Sequence, residues 1–99
     1  MPRPILTITQ VARRFGISTR TIRLYAEEGF ISLERRQGRC LLRPGDVDAI
    51  ARIERLKADL GVNLAGVGVI LEMREKMIEL RRRLVEMERE FQRLLAGEE

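Results

Sequence analysis

Residues 18–30, with the sequence STRTIRLYAEEGF, carry the signals that begin and end one short helix. Ser18 is a residue type that caps the free N–H groups at the start of a helix, and Gly29 suits the left-handed conformation that ends one. Between them, Ile22 and Tyr25 lie one helical turn apart, so both can face a hydrophobic core. The stretch therefore predicts a short amphipathic helix.

The outer face of this predicted helix is positively charged, because Arg20 and Arg23 also lie one turn apart. A second helix is predicted immediately before it, over residues 8–15. Its start carries a capping-box pattern, Thr7 with Gln10, and a glycine at position 16 ends it. Helix, glycine turn, and a second helix that opens with Ser-Thr-Arg-Thr is the layout of a DNA-binding helix-turn-helix.

The composition is that of one small domain with a helical appendage. Of its 99 residues, 44% are apolar and 34% are charged, against about 25% charged in a typical globular domain. No apolar run approaches the roughly 18 residues of a membrane span, and the start lacks the apolar core of a secretory signal. The single cysteine permits no internal disulfide, which predicts a cytoplasmic protein.

The chemistry-bearing residues are too few for catalysis. The chain has no histidine, one cysteine and two serines, and it has no glycine-rich phosphate loop. Neither a nucleophile with its base nor a usual structural zinc site can be assembled from this set. We expect no enzymatic activity, no metal and no cofactor.

Charge is distributed unequally along the chain. Residues 1–43 contain nine arginines and three acidic residues, a net charge of +6, whereas residues 44–99 carry −2. Basic residues clustered on one module are the electrostatic signature of a protein that binds the phosphate backbone. Arg13 and Arg14 point away from the apolar stripe of the first helix, and they either contact phosphates or are simply solvated.

Residues 32–43 favour a β-hairpin whose tight turn is Gln-Gly. A hairpin with arginines next to a recognition helix is typical of a wing, although a solvated loop is the alternative. Cys40 is expected to be a small, half-buried apolar side chain, since no histidine or second cysteine is available to activate it. The lead, residues 1–6, is expected to be frayed.

The rest of the chain predicts two more helices. The first covers residues 44–60 and ends at Gly61, and Asn63 suits the start of the next. From Ile70 onward the apolar residues repeat with alternating spacings of three and four, which is a heptad seam. Pairing with a second copy is favoured over folding back, because a body of about 60 residues is too small to cover this seam. The predicted dimerisation residues are Met73, Met77, Leu80, Leu84, Met87, Phe91 and Leu94.

Three stretches resemble MerR-type transcriptional regulators. TIRLYAEEGFI, residues 21–31, resembles the recognition-helix signature of that family, and ITQVARRFGIS, residues 8–18, is similar to its first helix and turn. LGVNLAGVGVILEM, residues 60–73, resembles the heat-shock repressor branch, HspR, and also the chaperone-modulator proteins, CbpM. The resemblance covers residues 6–90.

The resemblance implies a mainly α-helical fold, namely a winged helix-turn-helix domain followed by a long coiled-coil dimerisation helix. We assign residues 1–60 to the DNA-binding domain, 61–74 to a linking helix and 75–99 to the dimerisation helix. The expected DNA-binding residues are Ser18, Thr19, Arg20, Thr21, Arg23, Tyr25, Arg35, Arg36, Arg39 and Arg43. One departure concerns the wing, where Arg39-Cys40-Leu41-Leu42-Arg43 replaces the usual Arg-Tyr pair and the helix-capping serine.

The function implied is that of a homodimer, paired through an antiparallel coiled coil, that binds a pseudo-palindromic operator on double-stranded DNA. HspR relatives are repressors that use the chaperone DnaK as co-repressor, so a chaperone is a possible partner. No small-molecule effector and no membrane partner are expected. The alternative function is a chaperone modulator that binds a DnaJ-type co-chaperone through its helical surface.

Overall fold

The computed structural model describes residues 2–97, which form four helices and a small sheet. In chain order the elements are β1 (Leu6–Thr7), α1 (Ile8–Phe15), α2 (Thr19–Glu27), β2 (Glu34–Arg36), β3 (Arg39–Leu42), α3 (Pro44–Leu60) and α4 (Leu64–Leu95). The chain divides into two compact units between Asn63 and Leu64. The mainly α-helical winged helix-turn-helix architecture followed by a long helix is confirmed.

Helices α1 and α2 begin and end at the residues that their capping signals predict. At the start of α1 the Gln10 N–H donates to Thr7 Oγ1 (3.2 Å), and the Thr7 N–H donates to the Gln10 side chain (2.8 Å), which completes the capping box. Gly16 ends α1 in the left-handed region, with φ of 67°. Gly29, with φ of 81°, reverses the chain directly after α2.

The two predicted hairpin arms form an antiparallel pair, β2 with β3, in which Arg35 lies opposite Cys40. Gln37 and Gly38 both have positive φ, 52° and 74°, which matches the twist of a two-residue hairpin turn. The wing prediction is therefore confirmed, and Cys40 is half-buried as expected.

The expectation of a frayed lead is wrong for the described part of residues 1–6, and Met1 lies outside the described residues. Leu6 pairs with Leu42 in a third strand, β1, which makes the sheet order β1-β3-β2. Arg3 donates two hydrogen bonds to the Asp48 carboxylate, at 2.8 and 2.7 Å, and this pair lowers the pKa of Asp48. A two-residue strand that gains its partner only through tertiary contact leaves no periodic signal in the sequence.

The core of the amino-terminal unit lies between the helix-turn-helix, the sheet and α3. Its members are apolar side chains that are almost fully inaccessible to solvent. They are Ile8, Val11, Ala12, Ile22, Tyr25, Ile31, Leu42, Val47, Ile50 and Ile53. Helix α3 spans the predicted residues and ends at Gly61, in the left-handed region. Its start, at Arg43, has no side-chain cap, as the loss of the usual serine predicts.

Helix α4 is a single uninterrupted helix of 32 residues. We predicted a linking helix over residues 61–74 and a dimerisation helix over residues 75–99. No break separates these two parts in α4, and residues 98 and 99 lie outside the described part. All seven predicted dimerisation residues are exposed, with relative accessibilities from 52% to 66%. Within residues 2–97, no helix combines the length and the apolar character that crossing a membrane requires.

Candidate nucleic-acid interface

Helix α2 presents a polar face opposite the side that enters the core. Ile22 and Tyr25 are buried on the inner side. The outer side forms a shallow surface depression lined by Thr19, Arg20, Arg23, Leu24 and Glu27. Because the second helix of a helix-turn-helix enters the major groove by its exposed face, this outer side is the candidate recognition surface.

Arg23 connects the recognition surface to the wing. Its Nη1 donates to Cys40 Sγ, at 3.6 Å, across the gap between α2 and β3. It lies at the edge of an open groove of about 420 Å³ whose other basic side chains are Arg35 and Arg39. The start of α1 closes the groove with Thr7, Ile8 and Thr9. We call this the arginine groove.

The arginine groove has the chemistry of a phosphate site. Three arginines line it, Arg23, Arg35 and Arg39, together with Thr7 and Thr9. Guanidinium groups bind phosphate oxygens through paired N–H donors, and threonine hydroxyls add neutral donors. The groove also lies at the start of α1, where the helix dipole favours an anion.

The remaining wing arginines belong to a separate cluster held by one carboxylate. Glu34 Oε1 accepts from Arg36 Nη2 at 2.7 Å, and Glu34 Oε2 accepts from Arg43 Nε at 3.1 Å. The four wing arginines that the sequence groups together are therefore divided. Arg35 and Arg39 line the groove, while Arg36 and Arg43 are exposed but already partly neutralised by Glu34.

Ser18 and Thr21 secure the start of the recognition helix. The Thr21 N–H donates to Ser18 Oγ at 3.0 Å, and the two side-chain hydroxyl oxygens share a hydrogen bond of 2.9 Å. This cap orients the first turn of α2, which carries Thr19 and Arg20 on the exposed side. The observed contribution of Ser18 is therefore to the geometry of the interface.

The structure corrects the expectation that Tyr25 contacts DNA. Its side chain is 1% exposed, and its hydroxyl donates to Glu54 Oε1 of α3 (2.5 Å) and accepts from Lys57 Nζ (3.0 Å). Burial, reinforced by the bond to Glu54, raises the pKa of Tyr25. The hydrogen bond to Tyr25 raises the pKa of Lys57. Tyr25 thus anchors the recognition helix to α3 from the inside.

Sequence reasoning did not include Thr9 and Leu24 in the interface. Thr9 borders the arginine groove only because the chain folds the start of α1 against the wing. The sequence does contain a signal for Leu24, because it is an apolar residue on the charged side of the predicted helix. Within residues 2–97, no group of three or more acidic or cysteine side chains is placed to hold a metal ion.

A capped recognition helix, an arginine-bearing wing and a groove between them define the class of winged helix-turn-helix DNA-binding proteins. Comparison with known proteins identifies the family. Residues 6–74 match the family described as MerR HTH family regulatory protein. The chain belongs to this family, whose members are DNA-binding transcription regulators and not enzymes.

Similarity to individual proteins supports the family assignment. A heat shock protein HspR of Streptomyces coelicolor is 31% identical over 75 residues, which are 75% of this chain and 50% of that protein. The chain therefore spans about half the length of this relative. The crystal structure of HiNmlR, a MerR family regulator lacking the sensor domain, bound to promoter DNA, matches 94% of this chain and 80% of that one. Its TM-score is 0.58 at 23% identity, which establishes likeness of fold.

Proposed function

We propose that this protein is a repressor that binds, as a homodimer, to a pseudo-palindromic operator in double-stranded DNA. The observation that carries the proposal is the arginine groove, which joins the recognition helix to the wing beside an exposed helix face. HiNmlR, which has the same fold, is described as bound to promoter DNA. Such a regulator acts where the chromosome is, and we assign it to the cytoplasm.

In the proposed complex, the outer face of α2 enters the major groove. Thr19 and Arg20, on the first turn, are at the end of a recognition helix that contacts base edges. Arg23, Arg35 and Arg39 bind the phosphate backbone through the arginine groove. Phosphate contacts of this kind supply affinity and fix the register of the protein, whereas the base edges supply specificity.

The homodimer is proposed from the exposed seam of α4. Its leucine, methionine and phenylalanine side chains from Met73 to Leu94 are more than half exposed, a length of about three heptads. An apolar stripe of this length is unusual on a protein that remains monomeric, and a second copy supplies the matching stripe. A two-fold dimer would present two recognition helices, which is what an inverted repeat requires.

The charges that flank the seam favour an antiparallel pair. With Ile70 and Met73 at heptad positions a and d, the e positions are Arg74, Arg81 and Glu88, and the g positions are Lys76, Arg83 and Glu90. Both rows run from basic to acidic, so antiparallel pairing brings opposite charges together. A register in which Leu84 packs against Met87 of the partner subunit sets Arg81 near the partner's Glu88, and Arg83 near the partner's Glu90. Parallel pairing would instead bring Lys76 toward the partner's Arg81, and this repulsion offsets the attraction between Arg83 and the partner's Glu88.

Regulation by a chaperone is the finer part of the proposal. It is supported by the relationship to a heat shock protein HspR, which extends over 75 residues, or three quarters of this chain. We propose a DnaK-type chaperone as a co-repressor that strengthens operator binding. The chaperone-modulator alternative is not favoured, because the recognition helix, wing and arginine groove are all present.

The test is selection of genomic DNA fragments by the purified protein at two salt concentrations, followed by sequencing. We expect recovery of an inverted repeat that is retained at the higher salt, because a specific complex keeps enough affinity at that salt and a purely electrostatic complex does not. Binding that disappears with salt and enriches no sequence would contradict the proposal. A DnaJ-type partner would then be tested directly, and adding DnaK to the selection tests the co-repressor.

A further inference from the structure

Leu24 is an apolar side chain on the outer, otherwise polar face of α2. It lies four residues after Arg20 and three residues before Glu27, and all three border the same surface depression. Its side chain is 40% exposed, whereas Ile22 and Tyr25 on the opposite face are buried. The buried apolar residues of α2 lie on that opposite face, so the exposed part of the Leu24 side chain is open to solvent on the polar face.

The position distinguishes Leu24 from the other exposed apolar residues of the amino-terminal unit. Within residues 2–63 the other large ones are Ile5, in the lead, and Leu60, at the last residue of α3. Neither lies on the recognition helix. Among residues 2–63, Leu24 is thus the one large exposed apolar side chain that lies on the recognition helix.

Duplex DNA offers one distinctive apolar group in its major groove, the 5-methyl group of thymine. We propose that Leu24 packs against the methyl group of one thymine in each half-site and thereby determines sequence specificity. The inference rests on the proposed function, because it requires α2 to lie in the major groove. Arg20 and Arg23 flank Leu24 on the same depression, and their contacts to the DNA would hold it against the base edges.

The experiment uses the operator recovered from the genomic selection. Each thymine in one half-site is replaced in turn by uracil, which removes the methyl group and leaves every hydrogen-bonding group in place. With the wild-type protein, we expect one replacement to weaken binding about fourfold, the value of burying about one methyl group. With Leu24→Ala, the same replacement should have no effect. Leu60→Ala, which removes an exposed leucine elsewhere, should retain the wild-type pattern.

The salt dependence of binding gives an independent readout. Leu24→Ala should weaken binding without changing the slope against salt, because no phosphate contact is lost. The inference is wrong if every uracil replacement that weakens binding by the wild type weakens binding by Leu24→Ala equally, or if none weakens binding at all. The recovered operator would still establish the proposed function. If the wild-type protein enriches no sequence at all, the proposed function and this inference both fall.

Discussion

At the scale of single residues, Arg23 is where the recognition helix, the wing and the start of α1 meet. Its guanidinium contacts Cys40 and borders the arginine groove. Arg36, in contrast, is held by Glu34 at 2.7 Å. Two arginines on neighbouring elements therefore differ in their availability to a phosphate, and this difference makes them a matched pair for mutation.

We predict that Arg23→Ala weakens binding to all DNA sequences and lowers the salt slope by about one unit, because one phosphate contact is lost. Arg36→Ala should change the slope by much less, since its charge is already offset by Glu34. Both values come from titrations of the same duplex at several salt concentrations. An equal loss of slope in the two variants would show that the arginine groove is not the main phosphate site.

Tyr25 provides a second prediction at this scale, which concerns stability and pH. Tyr25→Phe keeps the buried ring but leaves Glu54 and Lys57 without their shared hydroxyl. We expect the free energy of unfolding at pH 7 to fall by about 1–2 kcal/mol. Urea denaturation monitored by circular dichroism measures this change.

The pH dependence follows from the raised pKa of Tyr25. The unfolded chain releases the phenolic proton near the ordinary pKa of 10.0, before the folded chain does. The stabilisation is therefore complete below pH 10 and is lost as the pH rises through the folded pKa. The raised pKa of Lys57 acts in the same direction. Tyr25→Phe should show a smaller alkaline decrease than the wild type, and an unchanged decrease would contradict the assignment.

At the scale of the element, the wing depends on its turn. Gly38 has φ of 74°, in the left-handed region, and a Cβ built there would meet open space. The obstacle to a side chain at this position is therefore backbone strain and not a clash. Gly45, near the start of α3, also faces open space, but it has ordinary helical geometry.

We predict opposite results for the same substitution at these two glycines. Gly38→Ala should destabilise the protein by about 1 kcal/mol, since an L-residue is disfavoured in the left-handed region. Gly45→Ala should stabilise it by about 0.5–1 kcal/mol, because alanine favours the helix and restricts the unfolded chain. Thermal unfolding of the two variants provides the measurement. Stabilisation by Gly38→Ala would mean that the turn has a different conformation.

At the scale of the whole molecule, the charges along α4 determine how two copies pair. In the antiparallel register, Arg81→Glu places two acidic residues together, and it should weaken the dimer. In a parallel pair the same change would relieve repulsion with Lys76 and strengthen the dimer. The direction of the effect therefore distinguishes the two orientations.

The dimer dissociation constant, measured by sedimentation equilibrium, tests this prediction. Each flanking pair contributes about 0.3–0.5 kcal/mol, and two-fold symmetry doubles the effect, so we expect Arg81→Glu to weaken dimerisation several-fold. Combining Arg81→Glu with Glu88→Arg should restore it. Glu86→Lys, at a heptad position remote from the seam, is the control and should have little effect.

The sequence by itself determined the elements whose signals are local. Capping residues and glycines set the bounds of α1 and α2, and Pro44 and Gly61 set those of α3. The Gln-Gly turn predicted the wing, and heptad spacing predicted the exposed seam of α4. These features depend on neighbours within about a turn or a hairpin, so the chain order contains them. The recognition-helix motif likewise sufficed to indicate the family.

Only the tertiary structure decided how these elements combine into a site. It turned Tyr25 inward to Glu54, 29 residues away, brought Thr9 to the arginine groove, and divided the wing arginines between the groove and Glu34. It also paired the lead with β3 through Leu6 and Leu42. Each outcome depends on residues distant in sequence whose contact is set by packing of the core, and no local pattern encodes such contacts.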